Sequence, residues 1–179
     1  TPDRARLFAA ITTALDRVDL DIVDARIYTT ADGYALDTFV VLGPDGNPVS
    51  DPGRRRAIRA ALREALAPGE LAPRAVTRRV PRARKAFSVR TEVSTWTDTR
   101  RRRTVLELIA TDRPGLLSRV AIALAERGVR LDGARINTFG ERAEDVFILA
   151  TADGEPIADA AALERLREAV RASADAASA

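Results

Sequence analysis

Apolar residues recur at helical spacing over Leu116, Leu117, Val120, Ala121 and Leu124, and Gly128 follows where a left-handed helix end is expected. Pro114 precedes this run and suits a helix start, because its missing N–H costs nothing in a first turn. From Leu131 to Phe139 the period becomes two, with Ala134, Ile136 and Thr138 on one face and Gly133, Arg135 and Asn137 on the other. Val146 to Thr151 is a short, nearly continuous apolar run of the kind found in central strands. Asp153-Gly154 marks a turn, and Leu163, Leu166, Ala169 and Val170 form the inner stripe of a helix over Asp159 to Ala172. A leading strand over Thr104 to Ala110 completes the order strand, helix, strand, strand, helix.

The same succession occurs once before. The stretch beginning at Asp3 aligns with that beginning at Asp112 over about 47 positions with a single one-residue gap. Leu7 matches Leu116, Leu15 matches Leu124, and Ala25-Arg26-Ile27 matches Ala134-Arg135-Ile136. Asp37 and Phe39 match Asp145 and Phe147, and Asp45-Gly46 matches Asp153-Gly154. Two copies of one small unit follow. Each would bury one face of an antiparallel sheet under two helices, an α+β sandwich of the ferredoxin-like kind. A unit of this size buries only about 60% of its unfolded surface, so two copies are expected to share an interface through sheets or helices. The first copy lacks its leading strand, which we read as truncation of a longer parent; the opening Thr1-Pro2-Asp3-Arg4, without Met, agrees.

Between the copies, Phe87, Val89, Thr91, Val93 and Thr95 alternate with polar residues, so a half-buried strand is expected over 87–96. It should form a hairpin with 104–111 and occupy the place of the second copy's missing last strand. The organisation is then 1–72 for the first unit, 73–103 for a bridge with an added strand, and 104–179 for the second unit.

Composition narrows the chemistry. The chain has no cysteine, methionine or histidine, which excludes disulfides, thiolate nucleophiles, imidazole bases and histidine-ligated metal. No run approaches the length of a membrane span, and the polar start is no secretory signal. The formal charge is +3, yet residues 74–103 carry eleven Arg or Lys against Glu92 and Asp98, leaving the remainder acidic. A nucleic-acid reader on a small α/β sheet would offer stacking aromatics, and only Phe87 and Trp96 flank this basic run. Lys85 is the single lysine, so the arginines reflect a GC-rich coding bias more than a choice for phosphate. A solvated or interdomain basic surface is the favoured reading, with a basic nucleic-acid-binding α/β module as the alternative of a different class.

The turn Asp112-Arg113-Pro114-Gly115 admits two readings. It is either a plain turn with a helix cap, or a ligand site in which Gly115 opens the backbone and the helix start attracts a carboxylate. Asn137, late in the next strand, has both donor and acceptor for a side-chain amide. Arg26 and Arg135 recur at matched positions, as carboxylate clamps or as edge residues whose stems cover apolar surface. Asp37 and Asp145 also match, and lone carboxylates before strands are expected to serve turns or caps. No catalytic pair is visible.

The run from Thr111 through Asp112-Arg113-Pro114-Gly115-Leu116-Leu117, a helix ending at Gly128 and then a strand, resembles the ACT domain, a βαββαβ regulatory module. Together with Val23 to Thr30, Ala35 to Phe39 and Gly140 to Phe147, it is similar to the C-terminal tandem ACT region of the bifunctional uridylyltransferase/uridylyl-removing enzymes of bacterial nitrogen signalling. The resemblance implies two ACT domains, the first without its leading strand, acting as a cytoplasmic glutamine sensor. It implies ligand contacts from Asp112, Arg113, Pro114, Gly115, Leu116, Leu117, Asn137 and Thr138, with Asp24 and Arg26 as a weaker set in the first copy. That copy reads Asp3-Arg4-Ala5-Arg6, without proline or glycine, so one competent site is expected, in the second copy. Partners implied are glutamine or another small amino acid, catalytic domains of the parent, the PII signal protein through that parent, and a homodimer through ACT interfaces. The parent would use Mg2+ and UTP; the chain itself is expected to hold no cofactor or metal and to be catalytically silent. The nearest alternative is an ACT-repeat module of another amino-acid-controlled protein.

Overall fold

The computed structural model describes residues 1–69, 71, 73–74 and 89–176. The elements run α1 (Leu7–Arg17), β1 (Asp21–Thr29), β2 (Ala35–Leu42), α2 (Pro52–Ala65), β3 (Glu92–Asp98), β4 (Arg103–Thr111), α3 (Leu116–Glu126), β5 (Arg130–Phe139), β6 (Arg142–Ala150) and α4 (Ala160–Asp175). The series α1-β1-β2-α2 is repeated by α3-β5-β6-α4, as the alignment of the two stretches requires. The second unit adds its leading strand, β4. Among the described residues no strand precedes α1; Pro2 makes an isolated antiparallel bridge to Tyr34 beside β2.

Both units build one antiparallel sheet in the order β2-β1-β5-β6-β4-β3. The seam is β1 against β5, from Asp24 opposite Asn137 to Tyr28 opposite Gly133. Its central pair is Arg26 opposite Arg135, two positions that match in the repeat, so an approximate two-fold axis passes between them. The periodicity of each strand specifies its inner face, whereas this pairing between units is a long-range choice. α1 packs on α2 and α3, and α3 on α4, covering one face of the sheet. Under them Ala25, Ile27, Leu106, Leu108, Ala134, Ile136, Phe147 and Leu149 join Val120, Leu124, Leu166 and Val170 in a core that spans both units. Phe8 of α1 meets Phe147 of β6 edge to face, with centroids 6.4 Å apart, so side chains of the two units interlock.

Strand β3 is the outer neighbour of β4, with Glu92 opposite Ile109 and Asp98 opposite Arg103. This is the sheet position of a ferredoxin-like last strand. It begins later than 87–96 and runs two residues further. Ahead of it, Val89 is held by Thr111, whose Oγ1 accepts from the Val89 N–H at 2.8 Å in place of a ladder bond; 87 and 88 lie outside the described residues. Part of the basic bridge, including Arg78, Arg79, Arg82, Arg84 and Lys85, also lies outside them. β6 starts at Arg142, four residues before the apolar run, because Arg142 to Asp145 already pair on both sides with β4 and β5. No helix among the described residues is long and apolar enough to cross a membrane.

Candidate functional site

The turn before α3 sits against the other unit. Its backbone is fixed by the Asp112 N–H donating to the Glu141 carbonyl at 2.8 Å and the Leu116 N–H donating to Arg113 at 2.9 Å. Gly115 is the N-cap residue with φ of 75°, a left-handed conformation that glycine adopts freely, and no side chain caps the helix. The dipole of α3 and its uncapped start therefore face the space in front of the turn. Arg119 braces the turn from behind, donating from Nη1 to the Pro114 carbonyl and from Nε to the Ser173 carbonyl of α4, both at 3.1 Å. Burial pushes this guanidinium below its ordinary range.

In front of the turn lies a cavity of about 40 Å3. Residues 112–118 form one wall, Thr12, Asp16 and Leu20 to Ile22 of the first unit another, and Ile136, Thr138, Ala143 and Asp145 the floor. That volume holds about three waters. Asp145 is 1% exposed. Burial, with the charge of Asp112 nearby, raises its pKa to about 8 despite a hydrogen bond from the Asn137 backbone. Its Oδ1 has no hydrogen-bond partner. Across the cavity the Ser118 hydroxyl has two acceptors for its one proton, Asp16 Oδ2 of the other unit at 3.1 Å and the Gly115 carbonyl of its own turn at 3.0 Å.

The pseudo-two-fold produces a second cavity at the first unit's turn, of about 560 Å3. Asp3 to Ala9, Thr29, Ala35 and Asp37 line one side, and Gly128 to Leu131 of the second unit the other. Here Arg6 takes the place of Gly115 and keeps its geometry, with φ of 67°. Arg4 turns away to donate to the carbonyls of Leu66, Ala67 and Gly69, closing the C-terminal end of α2. Asp37 corresponds to Asp145; burial and the neighbouring Asp3 raise its pKa to about 6. The first turn, without proline or glycine, thus has the larger opening.

The structure brings Asp112, Arg113, Pro114, Gly115, Leu116, Leu117 and Thr138 together around one cavity. It separates Asn137, Asp24 and Arg26 from them. Alternation sends Asn137 to the helix-free face, on which Asp24 stands opposite it and Arg26 two residues along. Neither Asp24 nor Arg26 lines the first-unit cavity. Asp37 and Asp145 are not turn or cap residues; each lies within a strand on the inner face. The signal was present in the sequence as an acid in phase with Ala143, Phe147 and Leu149, at a position the repeat duplicates.

One sheet, a helix layer and cavities at the strand-to-helix turns define a paired α+β module. Residues 104–171 match the ACT domain family. Over 94% of its length the chain is 42% identical to the bifunctional uridylyltransferase/uridylyl-removing enzyme of Pseudomonas putida (strain W619). It is 41% identical to that of Pseudomonas fluorescens (strain SBW25) and to that of Stutzerimonas stutzeri (strain A1501). The chain spans 19% of the length of these enzymes. No solved structure matches.

Proposed function

We propose that this chain is the amino-acid-sensing module of a uridylyltransferase/uridylyl-removing enzyme, with glutamine as its ligand at the cavity before α3. The observation that carries the reading is the opposition, across one interface cavity, of an uncapped helix start and the unpartnered Oδ1 of the buried Asp145. An amino-acid zwitterion needs both. Its carboxylate would lie at the start of α3 beside Gly115, and its ammonium would face Asp145 and Asp16. The cavity of about 40 Å3 is smaller than an amino acid, so on this reading entry parts α1 from α3 and breaks the Ser118–Asp16 bond. That separation is the signal passed to catalytic domains of the parent. A sensor working at millimolar metabolite needs only about −4 kcal/mol of binding, and a coupling of about 1–3 kcal/mol suffices to bias activity. The regulated parent would act on the PII protein with UTP and Mg2+, and this module would itself catalyse nothing.

The first-unit cavity is the second reading, favoured by its volume: an amino acid enters it without rearrangement. A thermal-shift screen against the twenty amino acids tests the reading. Glutamine should raise the melting temperature most. Silence for all twenty would contradict an amino-acid sensor, and a larger response to another amino acid would move the module to a different regulated parent.

A further inference from the structure

The sheet face without helices is hollow around Gly133. This glycine of β5 stands opposite Tyr28 of β1 and Ile148 of β6. With no side chain of its own it leaves an open depression of about 860 Å3, whose apolar floor continues over Val146 and Ile148. Tyr28 lines the depression and is 60% exposed, so its ring does not fill it. Four arginines line the same space, Arg101, Arg103, Arg130 and Arg135, against two acids, Asp3 and Asp132. Asp132 is shared. Arg103 donates to it from Nε, and Arg130 donates from Nε at 2.7 Å and from Nη2 at 3.1 Å. The carbonyls of Arg102 and Gly154 hold Arg103 further, accepting from Nη1 at 2.8 and 2.9 Å. One carboxylate thus fixes two guanidiniums side by side and balances the charge of only one. Arg101 reaches only Asp98, at 3.8 Å, with its side chain 72% exposed. Arg135 is exposed and has no hydrogen bond or ion pair among the described residues. Fixed, under-neutralised guanidiniums suit phosphate, and an apolar hollow beside an exposed ring suits a flat heterocycle.

We propose that this hollow is a binding site for a nucleoside phosphate. The base lies over Gly133 and Ile148, stacked against the Tyr28 ring, and the phosphates lie on Arg101, Arg103 and Arg130. Asp132 is the sequence neighbour of Gly133, so the guanidiniums it holds border the ring subsite directly. Arg135 stands two residues along β5 on the other side of Gly133, where it can donate to acceptors on the base edge. A bare polyanion would leave the apolar floor and the ring without a role. An extended nucleic-acid strand would need further rings along its path. Trp96, the exposed ring in the same row of side chains, is four strands from Tyr28, about 19 Å away. One hollow with one ring therefore fits a mononucleotide. The proposal does not rest on the amino-acid site, whose cavity lies against α1 and α3 on the other side of the sheet.

Isothermal titration calorimetry of this chain at low salt tests the proposal, with far-UV circular dichroism to confirm that each variant is folded. ATP is the probe, with tripolyphosphate, adenosine and single-stranded oligo(dA) as comparisons. The wild type should bind ATP with a Kd of about 100 µM or tighter, and tripolyphosphate and adenosine at least about tenfold more weakly. Tyr28→Ala should weaken ATP binding at least about fivefold and leave tripolyphosphate unchanged, because it removes the stacking surface and no charge. Arg101→Glu and Arg135→Glu should each weaken ATP binding at least about tenfold. Absence of ATP binding, or tripolyphosphate binding as tightly as ATP, would overturn the proposal. An ATP affinity indifferent to Tyr28→Ala would overturn it equally. Oligo(dA) binding more tightly than ATP would also overturn it, and would make the face a nucleic-acid surface instead.

Discussion

Ser118 in α3 donates a buried hydrogen bond to Asp16 in α1, 102 residues away, and this bond crosses the cavity in front of the second unit's turn. It ties the start of one unit's first helix to the end of the other's. If ligand entry parts these helices, the bond acts as a latch. Ser118→Ala should lower stability by about 1 kcal/mol in urea unfolding. The same variant should bind glutamine about fivefold more tightly, since about 1 kcal/mol of opening cost has gone. A variant that loses stability and binding together would show that the bond supports the site rather than closing it.

With no histidine or cysteine in the chain, few groups titrate between pH 5 and 9. Asp37 and Asp145 are raised from 3.8, to about 6 and about 8 respectively. In that window the folded state binds more protons than the unfolded state, so stability falls as pH rises. The loss contributed by Asp37 is complete a little above pH 6 and that of Asp145 continues to a little above pH 8. Urea unfolding at intervals from pH 5 to 9 should show this decline, and Asp145→Asn should flatten its upper part. An unchanged slope between pH 7 and 8 in that variant would contradict the assignment.

Gly115 and Arg6 occupy matched positions and share a left-handed backbone, with φ of 75° and 67°. A side chain at such a φ costs about 1–2 kcal/mol. Gly115→Ala should therefore destabilise the chain by about 1 kcal/mol in thermal or urea unfolding, and should weaken glutamine binding because the new methyl stands at the helix start. Ala substitution at a turn glycine remote from the cavity, Gly46 with φ of 75°, should cost similar stability with binding intact.

The elements were legible because each rests on local pattern. Leu116 to Leu124 has one helical stripe, Gly128 ends it with φ of 66°, and the alternation in β5 holds from Gly133 onward, a register shift between Leu131 and Gly133 breaking it at the start of the strand. The added strand was legible from Val93 and Thr95, although its ladder starts later than the alternation. What was not legible depends on distance. Nothing in the period of β1 or β5 says that they pair with one another, and only that pairing gives each turn its facing wall from the other unit. Asn137 was read by its chemistry and misplaced by it, since strand phase sends it away from the cavity. Asp145 was passed over for the opposite reason: a lone acid has no motif, and its meaning comes from burial under α3.

The central claim is that glutamine binds where the α3 start faces Asp145. Isothermal titration calorimetry of the wild type, Asp145→Asn and Asp37→Asn tests it most directly. The account predicts saturable millimolar binding at one site per chain, at least about tenfold weaker in Asp145→Asn and unchanged in Asp37→Asn. Below pH 8 binding should tighten as pH rises, because the ligand ammonium requires Asp145 in its charged form. Binding that survives Asp145→Asn and disappears with Asp37→Asn would contradict the claim and place the ligand in the first unit's cavity.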